Sequence, residues 1–83
     1  MITVEVKLVS SELTPGLSGG EYDIEEGSTV LDLLKLCQSV CGAVIPEENY
    51  IQMYPLFNGK PARLDSEITK NGTLHICRFA RGG

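Results

Sequence analysis

Positive charge is in short supply in this chain: seven lysine and arginine residues stand against eleven acidic ones in 83 positions, a formal net charge of -4. Such a surface repels a phosphate backbone instead of releasing counterions from it, so nucleic acid is not an expected partner. Long apolar runs are missing too. No segment approaches the roughly 20 residues that span a bilayer, and the opening Met1-Ile2-Thr3-Val4-Glu5-Val6-Lys7 lacks the basic and apolar stretches of a secretory signal. A cytoplasmic protein with no membrane partner is expected. The cysteines number three, which argues against a disulfide framework and suits a reducing compartment. There is one histidine, and no glycine-rich phosphate loop, paired-carboxylate site or nucleophile motif. So short a chain buries only a thin core and has little room for a deep cleft. The expectation is one globular domain that is not an enzyme, has no catalytic residues, and binds no metal or cofactor of its own.

What is present is a clear pattern of elements. Ile2, Val4, Val6 and Leu8 alternate with Thr3, Glu5 and Lys7, the period of a strand with one buried face. Residues 10–20, with Pro15, Gly16, Gly19 and Gly20, read as a flexible connection. A short strand at 21–25 places Tyr22 and Ile24 inward and pairs back on the first. Val30, Leu33, Leu34, Cys37, Val40 and Cys41 then fall at helical spacing and define one apolar stripe, predicting an amphipathic helix over 30–41. Thr29 and Asp32 have the form of a capping box before it, and Gly42 supplies the stop.

Pro46-Glu47-Glu48-Asn49 is turn-like, and 51–57 reads as a strand whose Pro55 implies an edge position or a bulge. Asn58-Gly59 predicts a tight hairpin, because both central positions of the favoured turn need positive φ. Residues 60–64 form the returning strand, 65–72 a polar connection, and 73–79 the last strand, with Leu74 and Ile76 on one face and His75 and Cys77 on the other. A lone helix must bury its stripe against the sheet, which makes an α+β domain: a mixed sheet of four to five strands with one amphipathic helix packed across it. Strand order is left open.

This order of elements resembles the β-grasp fold of ubiquitin and its bacterial and archaeal sulfur-carrier relatives, over nearly the whole chain. Glu26-Gly27-Ser28-Thr29-Val30 followed by Asp32-Leu33-Leu34 resembles the helix start of the small subunit of molybdopterin synthase and of the thiamine sulfur carrier. Phe57-Asn58-Gly59-Lys60-Pro61 resembles their hairpin. The closing Gly72-Thr73-Leu74-His75-Ile76-Cys77-Arg78-Phe79-Ala80-Arg81-Gly82-Gly83 resembles the end of ubiquitin, sharing Thr-Leu-His and the final Arg-Gly-Gly at the same separation. The likeness implies a β-grasp domain over 1–78 and a flexible tail over 79–83 ending in Gly-Gly.

It also implies a role for the tail. In such carriers a partner enzyme, similar to the ubiquitin-activating enzyme, uses ATP and Mg to adenylate the carboxylate of the last glycine. Gly83 would then receive sulfur as a thiocarboxylate and deliver it through a sulfur-acceptor synthase subunit, in molybdopterin, thiamine or related biosynthesis. Alternatively Gly83 would be conjugated to lysines of other proteins, or the tail would be inert on a plain interaction module. Glycines suit activation because a tail without Cβ threads a narrow channel and exposes its carbonyl. Gly82 and Gly83 are thus the candidate site, on a chain expected to be monomeric when free. The resemblance makes His75, Cys77 and Phe79 candidates for partner contact, with Phe79 alternatively capping the core. Arg78 and Arg81 could steer the tail toward an acidic groove or simply aid solubility. Cys37 and Cys41, four apart on the apolar stripe, are expected as small buried hydrophobes rather than as ligands of an iron–sulfur cluster.

Overall fold

The computed structural model describes residues 1–79. Strand β1 (Ile2–Leu8) follows from its alternation: Val4 and Val6 are buried while Glu5 and Lys7 face water. β2 (Gly20–Ile24) returns antiparallel to it, pairing Ile2 with Ile24 and Val6 with Gly20. Helix α1 (Val30–Cys41) begins where the capping box places it. The Thr29 hydroxyl accepts the Asp32 N–H at 3.1 Å, and the Asp32 carboxylate accepts the Thr29 N–H at 3.0 Å. Gly42 closes the helix, its N–H reaching the Gln38 carbonyl. Val30, Leu33, Leu34 and Cys37 are buried. Val40, expected on the same stripe, is 65% exposed; it lies at the stripe's edge, in the last turn of the helix.

A second, short helix α2 (Glu47–Tyr50) stands where a turn was expected, and it leads into β3 (Met53–Phe57). Asn58 and Gly59, at φ 52° and 80°, make the two-residue turn into β4. β4 is Lys60–Pro61 only, not the strand over 60–64 that the residue pattern predicts. Ser66 ends it: its hydroxyl accepts the Arg63 N–H and its own N–H reaches the Arg63 carbonyl, so the chain turns away. β3 is not the edge strand that Pro55 implies but lies between β5 and β4; on the β4 side the Pro55 carbonyl accepts the Ala62 N–H just beyond the short β4, and only the return bond from the missing Pro55 N–H is lost.

The last strand, β5 (Gly72–Arg78), lies in the middle of the sheet. The order is β2-β1-β5-β3-β4, with β5 parallel to β1 and antiparallel to β3. Its Leu74 and Ile76 meet Val4 and Val6 in the core beneath α1.

Two connections differ from their reading as open loops. Within 10–20 a 3₁₀ turn (Ser11–Leu13) puts Leu13 into the core, and the Asn49 side chain ties down the Leu13 carbonyl at 3.1 Å. Segment 64–68 straps the start of α1: the Leu64 and Ser66 carbonyls accept the Leu31 and Val30 N–H groups, and Ile68 is buried. Donors that a helix leaves unpaired at its N-terminus thus find partners in a neighbouring segment. No helix among the described residues is long and apolar enough to cross a membrane.

Candidate functional site

The sheet has one face under α1 and one face open. Alternation along β5 sends Leu74 and Ile76 under the helix and leaves Thr73, His75 and Cys77 on the open face. Register then decides their neighbours. His75 pairs with Leu56 on β3 and with Lys7 on β1, and Cys77 pairs with Tyr54. Directly opposed residues share a face and touch. The Tyr54 ring meets the Phe79 ring edge to face, centroids 5.7 Å apart at 74°, a favoured aromatic geometry. The open face therefore carries a contiguous half-buried group, Tyr54, Leu56, His75 and Cys77, extended by Phe79 at 54% exposure.

Three of the sequence-derived contact candidates, His75, Cys77 and Phe79, are thus brought together on one surface. Arg78 is not with them. It pairs in register with Met53, on the helix side, where its guanidinium reaches Glu12 at 3.3 Å and the Gln52 side-chain oxygen at 2.9 Å. Arg81, Gly82 and Gly83 lie outside the described residues. Tyr54, Leu56 and Gln52 escape a reading by sequence alone, because only the β3–β5 register places them beside His75, Cys77 and Phe79.

Phe79 is held after β5 ends: its N–H donates to the Gln52 carbonyl at 2.7 Å, one step beyond the Met53–Arg78 pair. A shallow groove lined by Ile51, Gln52, Arg78 and Phe79 opens there, and Ile51 is 85% exposed. Phe79, the last described residue, is therefore bordered by the apolar Ile51 as well as by the polar Gln52 and Arg78.

The cysteines divide three ways. Cys37 is fully buried, as expected, and burial pushes its thiol up to about 11. Cys41 departs from the expectation of a buried hydrophobe. It is half-buried, and its Sγ accepts the Ser18 N–H at 3.4 Å and lies 3.7 Å from the Tyr22 hydroxyl. Those hydrogen bonds, the Ser18 N–H foremost, hold the Cys41 thiol below its ordinary value. Cys77 is half-buried on the open face. Among the described residues no three His, Cys, Asp or Glu side chains converge as metal ligands.

No family model matches the sequence, and comparison with curated proteins gives no match. Solved structures do match. A crystal structure of SAMP1 from Haloferax volcanii superposes with a TM-score of 0.70 at 24% identity, over 98% of this chain and 99% of that one. Another, of H. volcanii small archaeal modifier protein 1, gives 0.70 at 23% identity over 92% and 95%. A putative molybdopterin converting factor, subunit 1, from Pyrococcus furiosus gives 0.64 at 17% identity over 94% and 98%. These likenesses establish the architecture: a β-grasp, ubiquitin-like fold with a mixed five-stranded sheet and one main helix.

Proposed function

We propose that this chain is a sulfur carrier that works as a substrate, with Gly83 as its reacting residue. A partner enzyme supplies magnesium-bound ATP. The Gly83 carboxylate attacks the α-phosphorus and expels pyrophosphate; hydrosulfide then attacks the acyl carbon and expels AMP, leaving a thiocarboxylate, or an enzyme-bound persulfide does so and a thiol cleaves the resulting acyl disulfide at its S–S bond, leaving the thiocarboxylate and a disulfide. A carboxylate is a poor electrophile until one oxygen becomes part of a good leaving group, which is what adenylation accomplishes. The chain itself contributes presentation. Its open sheet face offers a surface for a partner to grip.

The observation that carries this reading is the place where β5 ends. The strand lies in the middle of the sheet, ends at Arg78, and passes into Phe79 at the rim of the patch formed by Tyr54, Leu56, His75 and Cys77. A partner docked on that patch would hold the departing tail at a fixed origin. Aromatic and aliphatic anchors of this kind dominate interface energetics, and the chain's acidity would speed encounter with a basic partner surface. Three free thiols in the described residues suit a reducing compartment, where such a carrier would work.

A second reading, conjugation of Gly83 to lysines of other proteins, draws on the likeness to small archaeal modifier protein 1. Both readings begin with the same adenylation. Incubating the full chain with ATP, magnesium, hydroxylamine and an extract of its native host tests that shared step, since hydroxylamine attacks an acyl adenylate to give a hydroxamate and AMP. We expect a hydroxamate at Gly83 by mass spectrometry, lost when ATP is omitted. Without hydroxylamine, an oxygen-to-sulfur exchange at Gly83 marks the carrier, and Gly-Gly remnants on lysines mark the modifier. An unmodified Gly83 under all these conditions leaves the inert module standing and removes both.

A further inference from the structure

One residue touches both of the last two described residues. The Gln52 main-chain carbonyl accepts the Phe79 N–H at 2.7 Å, and its side-chain oxygen accepts from the Arg78 guanidinium at 2.9 Å. Arg78 is held a second time by Glu12 from the 3₁₀ turn, and Phe79 a second time by the Tyr54 ring. None of these contacts belongs to the core. Arg78 and Glu12 are both more than half exposed, at 53% and 58%, and Phe79 at 54%, so the contacts do little to hold the fold together. What they do is hold the end of β5 and Phe79 in place.

We infer that Gln52 is a positioning residue, fixing Arg78 and Phe79 as the last held point of the chain that carries Gly83; this rests on the adenylation proposed above. The consequence is geometric. An extended residue spans about 3.3 Å, so Gly83 can lie at most about 13 Å from a held Phe79, and at most about 20 Å from Cys77 once Arg78 and Phe79 are loosened. A longer free segment spreads its end over a larger volume, and the Gly83 carboxylate then meets the reacting phosphorus in the right geometry less often. Gln52 acts on this through Arg78. With the amide gone, the Arg78 guanidinium keeps only its exposed pair with Glu12, and the Met53–Arg78 pairing at the end of β5 frays more readily.

The test compares the full chain with Gln52→Ala and Gln52→Glu in the hydroxylamine trap, using one native-host extract and varying the chain's concentration. Gln52→Ala is expected to lower the maximal rate of hydroxamate formation about fivefold with its half-saturating concentration within about twofold of the parent, because positioning affects the bound state. Gln52→Glu retains an acceptor for Arg78 and should restore the rate. In parallel, the Phe79 amide should exchange with solvent faster in Gln52→Ala than in the parent, while exchange at Leu74 and Ile76 is unchanged. A half-saturating concentration raised at constant maximal rate would make Gln52 a docking residue and overturn the inference. So would kinetics and Phe79 exchange that match the parent, leaving the adenylation intact. If the parent chain itself yields no hydroxamate, it is the underlying reading that fails, and the positioning role falls with it.

Discussion

Thr14 is the one buried polar side chain whose oxygen has no partner among the described residues; it is 2% exposed, directly after Leu13. A hydroxyl without a hydrogen bond in an apolar setting has given up its water for nothing. Replacing it by a methyl group of the same shape should help, and we expect Thr14→Val to raise stability by about 1 kcal/mol, read from urea midpoints. Cys37 bears on stability in alkali. Its folded thiol stays neutral to about 11, against an ordinary value of 9.0, so the unfolded chain loses that proton first. Stability conferred by the raised value is intact below the ordinary value and falls as pH climbs from 9.0 toward about 11. Urea melts across that window should show the decline. Cys37→Ala, though less stable throughout because of its cavity, should show a flatter one. Cys37 is legible in the residue order, on the apolar stripe of α1, but Thr14 is not: it sits in a stretch of Ser, Pro and Gly that reads as loop, and its burial follows only from the 3₁₀ turn that pulls Leu13 inward.

Elements whose instructions are local could be read directly. The alternation of β1, the Thr29–Asp32 box and Asn58-Gly59 each act over a few residues, and each appears where its spacing says. Thr29→Ala removes the acceptor of the Asp32 N–H and should cost about 1 kcal/mol in chemical denaturation. The Asp32 carboxyl is held below its ordinary value, first by the Thr29 N–H, so its share of the box persists through neutral pH and is lost as pH falls through that lowered value. Elements that end because of distant partners could not be read this way. β4 stops at Pro61 because Ser66 turns the chain, and 64–68 is a strap because α1 has unpaired donors to satisfy. Gly72 is a further case. A Cβ there would collide with the Asn58 side chain and the Phe57 ring, and Asn58 uses that side chain to accept the Thr73 N–H at 2.9 Å. Gly72→Ala should therefore loosen the hairpin against β5, seen as faster amide exchange at Thr73.

For the domain as a whole, presentation of the tail and stability of the fold should separate. The core is closed by residues 4–76, and a chain ending at Phe79 is expected to melt within a few degrees of the parent while giving no hydroxamate. The α+β architecture and the sharing of one face by His75 and Cys77 followed from periodicity. Strand order did not, because nothing local says that the last strand must lie between β1 and β3. That order is also what gives the site its membership, bringing Tyr54, Leu56 and Gln52 from β3 and its approach to the end of the chain.

The central seat of β5 has a consequence for synthesis. Both β1 and β3 need β5 as their neighbour, so a nascent chain has two half-sheets with unpaired inner edges until Gly72–Arg78 clears the ribosome. A product truncated before β5 has no route to a closed sheet and is left to proteases. Any copy that survives as a folded protein has therefore been translated at least through Arg78.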